Sequence, residues 1–232
     1  MKKLAFVGFM FLSFAVSAAE GDSTRTEETW SFANAEKRIK FSPLEIFNPV
    51  PTIGADLDVN YKDGIRFQAG FGLVPSFLQP STGRLIEERF NWMGGYKLRG
   101  ESKFFVLKKP NRYFSLELSM RHLIIRDEIA IGMEGDGNGN FAYFQDELMT
   151  FNRFNTQIAF KYGFEKTWES GFLIDFYAGL AIRQNYVISG SKIPEGGVPQ
   201  GNWNVMGWDL RDGYKFNYPT PILGFRLGYI LK

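Results

Sequence analysis

The chain has 232 residues, a formal net charge of +2 and no cysteine, and 17% of its residues are aromatic. The near-neutral charge gives no electrostatic case for binding nucleic acid, and the lack of cysteine excludes a disulfide framework and thiol chemistry. This composition is typical of one compact, β-rich domain.

Residues 1–19 have the pattern of a secretory signal peptide. Lys2 and Lys3 precede an apolar run at 4–16, and small residues lead to a cleavage site after Ala19. We therefore expect export from the cytoplasm. The polar, unpatterned residues 20–35 are expected to form a flexible extension. An inner-membrane helical protein is not expected, because no later stretch has the roughly 18 uninterrupted apolar residues that a spanning helix needs.

From residue 36 onward, apolar and polar residues alternate, and this period of two predicts β-strands. In the clearest segment, Phe160 and Phe164 fall on one face, while Lys161 and Glu165 fall on the other. A proline, Pro43, interrupts the first segment. The alternation predicts eight strands in chain order, at 36–47, 53–60, 65–73, 96–107, 114–121, 154–165, 172–183 and 223–231.

The connections between the predicted strands alternate in length. Short turns follow the second, fourth and sixth strands, whereas long loops at 75–95, 132–152 and 190–218 follow the third, fifth and seventh. An even number of strands with short turns at one end and long loops at the other is typical of transmembrane barrels whose termini are periplasmic. The predicted fold is therefore all-β, an eight-stranded antiparallel up-and-down transmembrane β-barrel at 36–232.

The apolar face of the strands is expected to point outward. An eight-stranded barrel has an interior only wide enough for side chains to fill, and the apolar face carries too many aromatic rings for that space. The other face combines glycines with charges, which must pair when buried. A salt-bridged plug is favoured over a narrow, slightly cation-rich passage. Besides Lys97 and Lys103, the predicted interior charges are Asp56, Asp58, Arg66, Arg99, Glu101, Glu117, Arg121, Lys161, Glu165, Asp175, Arg183 and Arg226.

Three stretches carry a resemblance to a known family. With "IKFSPLEIF", "PTIGADLDV" and a final "LGFRLGY", the chain resembles the small eight-stranded OmpA-type outer-membrane barrels over roughly residues 36–232. The chain ends in Lys232, whereas the common form ends in an aromatic residue. The resemblance implies the cell outer membrane as location, with outer-membrane lipid and lipopolysaccharide as surroundings.

The fifth connection contains a partial calcium pattern. Asp136, Asn138, Asn140 and Glu147 have the spacing of positions 1, 3, 5 and 12 of a calcium loop. Phe141 stands where that loop needs glycine, and Gly and Asn are equally typical of any tight exposed turn. We therefore predict no metal and no cofactor, and keep these four residues as weak candidates.

Two further features bear on function. His122 is the only histidine, and alternation points it outward, away from any evident serine nucleophile, so no catalytic residues are assigned. In the last long loop, Trp203, Trp208 and Tyr214 lie among hydrogen-bonding residues, which suits contact with an envelope or extracellular protein. We expect a non-enzymatic structural or interaction role. The alternatives are a narrow pore for small solutes and a lipid-modifying enzyme that uses His122.

Overall fold

The computed structural model describes residues 35–45, 51–62, 64–76, 92–106, 109–136, 140–199, 204–205, 208–209 and 215–231. The predicted signal peptide and nearly all of the predicted extension lie outside these ranges. All described strands belong to one compact unit, Phe32–Lys232. Within the described residues, no helix is long and apolar enough to cross a membrane.

Eight antiparallel strands form a closed ring, as predicted. Each of these eight strands pairs with the next of them along the chain, and the last pairs with the first, which closes the ring. Three two-residue strands lie between the seventh and eighth barrel strands. The strands are β1 Lys37–Phe41, β2 Ile53–Lys62, β3 Ile65–Val74, β4 Trp92–Val106, β5 Lys109–Met133, β6 Tyr143–Thr167, β7 Phe172–Ser189, β8 Val198–Pro199, β9 Asn204–Val205, β10 Trp208–Asp209 and β11 Lys215–Leu231.

The two faces of the ring have opposite polarity. Lys103, Asp175 and Arg226 are fully buried on the inner face, while Leu180 and Leu223 on the outer face are 67% and 82% exposed. This is the predicted orientation, with the charged face inside. The interior has room for the charged side chains because several inner positions are glycines. For example, the Tyr113 ring of the neighbouring strand packs over Gly163.

The first strand is shorter than predicted. The expected strand at 36–47 ends at Phe41, and a 3-10 helix, Pro43–Glu45, follows at once. Proline lacks the N–H that would continue the ladder, and the Glu45 amide instead donates to the Ser42 carbonyl oxygen at 3.1 Å. As a result, β1 lines only the half of the barrel nearest the short turns.

Five other boundaries at the long-loop end differ from the prediction by four residues or more, including the end of β7 at Ser189, and at the short-turn end β5 begins at Lys109, five residues before its predicted start. β4 begins at Trp92 and β11 at Lys215, and most of the predicted loop at 132–152 belongs to β5 and β6. The alternation disappears there because inward positions are apolar too. Leu123 and Ile125 are buried inside the ring on either side of the outward Ile124, so the strand continues after its period of two has ended.

Candidate functional site

Ion pairs fill the half of the interior nearest the short turns. Lys40 of β1 lies 2.6 Å from Asp58, 2.5 Å from Glu165 and 3.3 Å from Asp175, measured from its ammonium nitrogen to carboxylate oxygens. Lys103 of β4 approaches the same Asp175 at 2.5 Å. Glu165 and Asp175 face each other across β6 and β7, so these lysines separate two like charges that would otherwise repel.

Arg226 of β11 connects several strands in the middle of the interior. Its guanidinium lies 2.8 Å from Glu101, 3.3 Å from Glu117 and 3.6 Å from both Asp56 and Asp175. These carboxylates belong to four different strands, and Glu101 directly opposes Glu117 in the β4–β5 ladder. A fully buried cation that bridges opposite walls braces the ring, because separating the walls would leave buried charges unpaired.

All the interior charges predicted from the sequence lie on the inner side, but they are not equally paired. Arg66, Arg99 and Lys161 join the network through Glu165, Asp56 and Glu101, respectively. Among the described residues, Arg121 and Arg183 have no carboxylate within 4 Å. Arg183 donates to the amide oxygen of Gln157 at 2.7 Å, and Nε of Arg121 is buried without a hydrogen-bond partner.

Four members of the network were missed by the sequence reasoning. Arg38 and Lys40 lie on β1 and both contact Glu165. The Tyr113 hydroxyl donates to Asp175. Glu45 reaches in from the 3-10 helix. The alternation at 37–41 contained the signal for the first two, since Arg38 and Lys40 fall on the same face of a strand.

The side chain of Glu45 closes the network towards the loops. It lies 3.0 Å from the Lys97 ammonium and 2.7 Å from the Arg99 guanidinium. Burial alone would raise the pKa of the Glu45 carboxyl, but the two charges and the hydrogen bonds they donate outweigh it and lower the pKa to about 2. Glu45 therefore stays ionised at neutral pH and ties the 3-10 helix to β4.

A cavity of about 350 Å³ lies beyond this network. Its walls carry more positive than negative charge: the acidic groups are Glu45 and Glu117, and the basic groups are Lys97, Arg99, Arg121, Arg153, Lys161 and Arg183. Lys97 and Arg121 are direct cross-strand neighbours, a pairing of like charges that is unfavourable unless something compensates it. The cavity is thus suited to an anion.

An apolar layer closes the cavity towards the long loops. Leu123 lies at the cavity wall, one inward position beyond Arg121, and Ile125 lies at the next. They pack in one buried cluster with Val74, Met93, Ile131, Met149, Phe151 and Val187. Because a charged solute would have to lose its hydration to pass this layer, the described residues leave no polar path along the barrel axis from the loops.

The weak calcium candidates do not converge. Asp136 accepts hydrogen bonds from the Asn140 backbone and side chain at 3.2 and 2.8 Å, which closes a tight turn. Glu147 is well inside β6 and accepts from Gln145 at 2.6 Å. Its position, four residues beyond the start of β6, places it about 13 Å further along the strand at about 3.3 Å per residue. Asn138 lies outside the described residues, and no group of three acidic or histidine side chains suited to a metal occurs in the described part of the chain.

His122 lies on the outer face, away from the cavity. Its ring stacks on Phe154 at 4.5 Å between centroids and meets Tyr96 edge-on at 5.3 Å. Its Nε2 lies 3.1 Å from the Asn152 side-chain oxygen. These contacts hold the imidazole in an aromatic cluster, without a serine or carboxylate in the contacts of the ring.

The structure bears little on the proposed aromatic contact residues. Trp203 and Tyr214 lie outside the described residues, and Trp208 begins the two-residue strand β10, which pairs with β9. Comparison of the chain with protein-family models, with curated proteins and with solved structures found no match.

Proposed function

We propose that this chain is an integral outer-membrane protein, a small eight-stranded barrel of the OmpA type whose interior is blocked along the barrel axis. Its role is non-enzymatic: it contributes to the envelope or presents its loops to a partner protein. The observation that carries the proposal is the inverted polarity of the ring, with fully buried Arg226 and Asp175 inside and Leu180 and Leu223 exposed outside. Such a surface is stable in acyl chains and prone to aggregate in water.

The height of the apolar surface supports a membrane location. Along β7, every outward position from Phe172 to Ile182 is apolar. With a rise of about 3.3 Å per residue and a strand tilt of about 40°, this run produces a band about 25 Å tall. A band of that height matches the hydrocarbon region that outer-membrane barrels cross.

Aromatic residues at both ends of the band support the same location. Trp168 and Phe172 lie near a short turn, with ring centroids 5.5 Å apart. Trp92 and Tyr96 lie on β4 near the long loops, and Trp92 is 37% exposed. Two such girdles mark the levels at which barrels meet the lipid headgroups.

The closed interior argues against a pore, and the place of the only histidine argues against catalysis. Buried ion pairs fill one half of the ring and the apolar cluster closes the other. His122 lies outside, so a hydrolase built on it would have to act without the cavity. We expect the purified barrel in planar bilayers to give no conductance steps. Regular steps from the pure protein would instead support the narrow pore.

The membrane location is tested by a charge on the outer face. In a bilayer, Leu180→Arg lies inside the apolar band but nearer its loop-side edge than its middle, so it should lower the free energy of unfolding by about 1–2 kcal/mol, between the costs at the midplane and at the interface. On a water-exposed surface it should change the free energy of unfolding by less than about 0.5 kcal/mol. The matched control is Ile193→Arg, at an exposed loop position. Unfolding in lipid vesicles measures both variants. A neutral Leu180→Arg, with the parent protein recovered as a detergent-free monomer, would refute the proposal.

A further inference from the structure

The wall of the ring is incomplete on one side at the loop end. β11 pairs with β7 from Lys215 to Tyr229 but meets β1 only from Leu227 to Leu231. Since β1 ends at Phe41, residues 215–226 have a strand partner on one side only within the described part of the chain. The same holds for residues 53–55 of β2, which extend beyond the last residue paired with β1.

Two prolines keep the free edge of β11 unpaired. The Ile230 amide donates to the Gly171 carbonyl oxygen at 2.9 Å, on the side of β7, and the β7–β11 register is continuous. Because amides alternate in direction along a strand, the nitrogens of Pro219 and Pro221 face away from β7, towards the gap. Neither can donate, so the edge lacks two of the hydrogen bonds with which another strand would pair.

The interior cavity reaches this gap. On one side it is lined by Ser42 and Leu44, which follow the end of β1. On the other side it is lined by residues from both faces of β11: Ile222 and Gly224 point inward, and Pro221, Leu223 and Phe225 point outward. Leu223 is 82% exposed on the outer face, so within the described residues the cavity reaches the outer face of β11 through a sideways opening between this edge and the 3-10 helix, which contacts β11.

Arg121 on β5 and Arg183 on β7 line the same cavity, and neither has a carboxylate partner among the described residues. Ion pairs block access from the short-turn end, and the apolar cluster blocks access from the loops. Within the described part of the chain, the sideways opening between the 3-10 helix and β11 is therefore the route left to a charged group that would neutralise the two arginines.

We propose that this opening admits the phosphate headgroup of a lipid from the leaflet on the loop side, and that Arg121 and Arg183 bind the phosphate. Two guanidiniums match the charge and the several acceptor oxygens of a phosphate ester. The inference rests on the proposed membrane location, because the lipid chain stays outside against Leu223 and Phe225. A cavity of about 350 Å³ has the volume of roughly a dozen waters at about 30 Å³ each, enough for a headgroup but not for a whole lipid.

Native mass spectrometry of the barrel, released from dodecyl maltoside micelles, tests the binding. The micelle supplies a neutral amphiphile with the same chain, and the added probe is either dodecyl phosphate or inorganic phosphate. We expect one dodecyl phosphate per barrel. The double variant Arg121→Gln/Arg183→Gln should bind it at least about tenfold more weakly, because charge-assisted hydrogen bonds are lost. The control Lys109→Gln/Lys166→Gln removes the same charge from exposed positions and should bind like the parent.

A second variant tests the route and does not alter the arginines. Leu44→Trp adds bulk beside the opening and should weaken binding of dodecyl phosphate, while Leu180→Trp, on the far outer face, should not. Unchanged binding in Leu44→Trp would overturn the sideways route. Unchanged binding in the double arginine variant would overturn the site.

Two further outcomes distinguish a lipid phosphate from a free anion and separate this inference from the proposed membrane location. Inorganic phosphate that binds as tightly as dodecyl phosphate would show a free-anion site and overturn the lipid. If Leu180→Arg destabilises the barrel in lipid vesicles as expected but the parent barrel binds no dodecyl phosphate, this inference is wrong and the membrane location still holds.

Discussion

Replacing Asp175 by asparagine should destabilise the barrel more than any change on its surface. Asp175 is fully buried and accepts the Tyr113 hydroxyl, with Lys103 at 2.5 Å and Lys40 at 3.3 Å. At this end of the interior, four cations (Arg38, Lys40, Arg66 and Lys103) face three buried carboxylates (Asp58, Glu165 and Asp175), and Arg38 also pairs with the exposed Glu36. Asp175→Asn leaves only two of those carboxylates. Removing one partner of a buried pair costs about 3–5 kcal/mol, and we expect a loss in that range.

The assay is equilibrium unfolding by guanidinium in lipid vesicles, followed by tryptophan fluorescence. The matched control is Glu169→Gln in the exposed β6–β7 turn, which should change stability by less than about 0.5 kcal/mol. A double-mutant cycle with Lys103→Met separates charge from volume. Asp175→Asn/Lys103→Met should be more stable than the sum of the single losses implies, because it leaves neither charge unpaired. A loss below about 1 kcal/mol, or strict additivity, would refute the view that these ion pairs stabilise the ring.

The same assay addresses three further changes. Tyr113→Phe removes the donor to a buried carboxylate and should cost about 1.5–3 kcal/mol; a neutral result would contradict this bond. Gly163→Val places methyl groups in the volume of the Tyr113 ring and should cost about 1–3 kcal/mol, but much less when Tyr113 is replaced by alanine. Because the folded pKa of Glu45 is lowered to about 2 from about 4.5, its stabilisation is complete above pH 4.5 and should disappear as the pH falls towards 2. Glu45→Gln should remove that part of the acid sensitivity, and an unchanged acid profile in this variant would contradict the Glu45 assignment.

The strands were predictable from the sequence wherever one face is polar. Along β7, Asp175 and Gly179 alternate with Phe176 and Leu180, and this contrast between faces located the strand and its orientation. The contrast is lost at the loop end, where inward positions such as Leu123 are as apolar as outward ones. A period of two reports a difference between faces, so a strand that is apolar on both faces gives no such signal.

The partners within the charge network were not predictable from the sequence. Arg226 on β11 reaches Glu101 on β4 across the ring, far apart in both sequence and strand order. Such contacts depend on the tilt and stagger of the strands, which alternation does not encode. The interior charges taken from the sequence are eight basic and six acidic residues, so an excess of cations was predictable. Which cations have no carboxylate partner among the described residues is a property of the folded interior.

The unmatched positive charge and the gap in the wall have one structural cause. At the short-turn end, β1 completes the ring and also supplies Arg38 and Lys40, which neutralise the acidic pair on β6 and β7. At the loop end, β1 has already stopped before Pro43, and Glu45 of the following 3-10 helix is committed to Lys97 and Arg99. Within the described chain, ending the strand early therefore leaves residues 215–226 of β11 without a strand partner on that side and leaves Arg121 and Arg183 without a carboxylate partner. An opening in the wall thus lies beside the charges that need a ligand, and a ligand that enters there completes both the electrostatics and the packing of the ring.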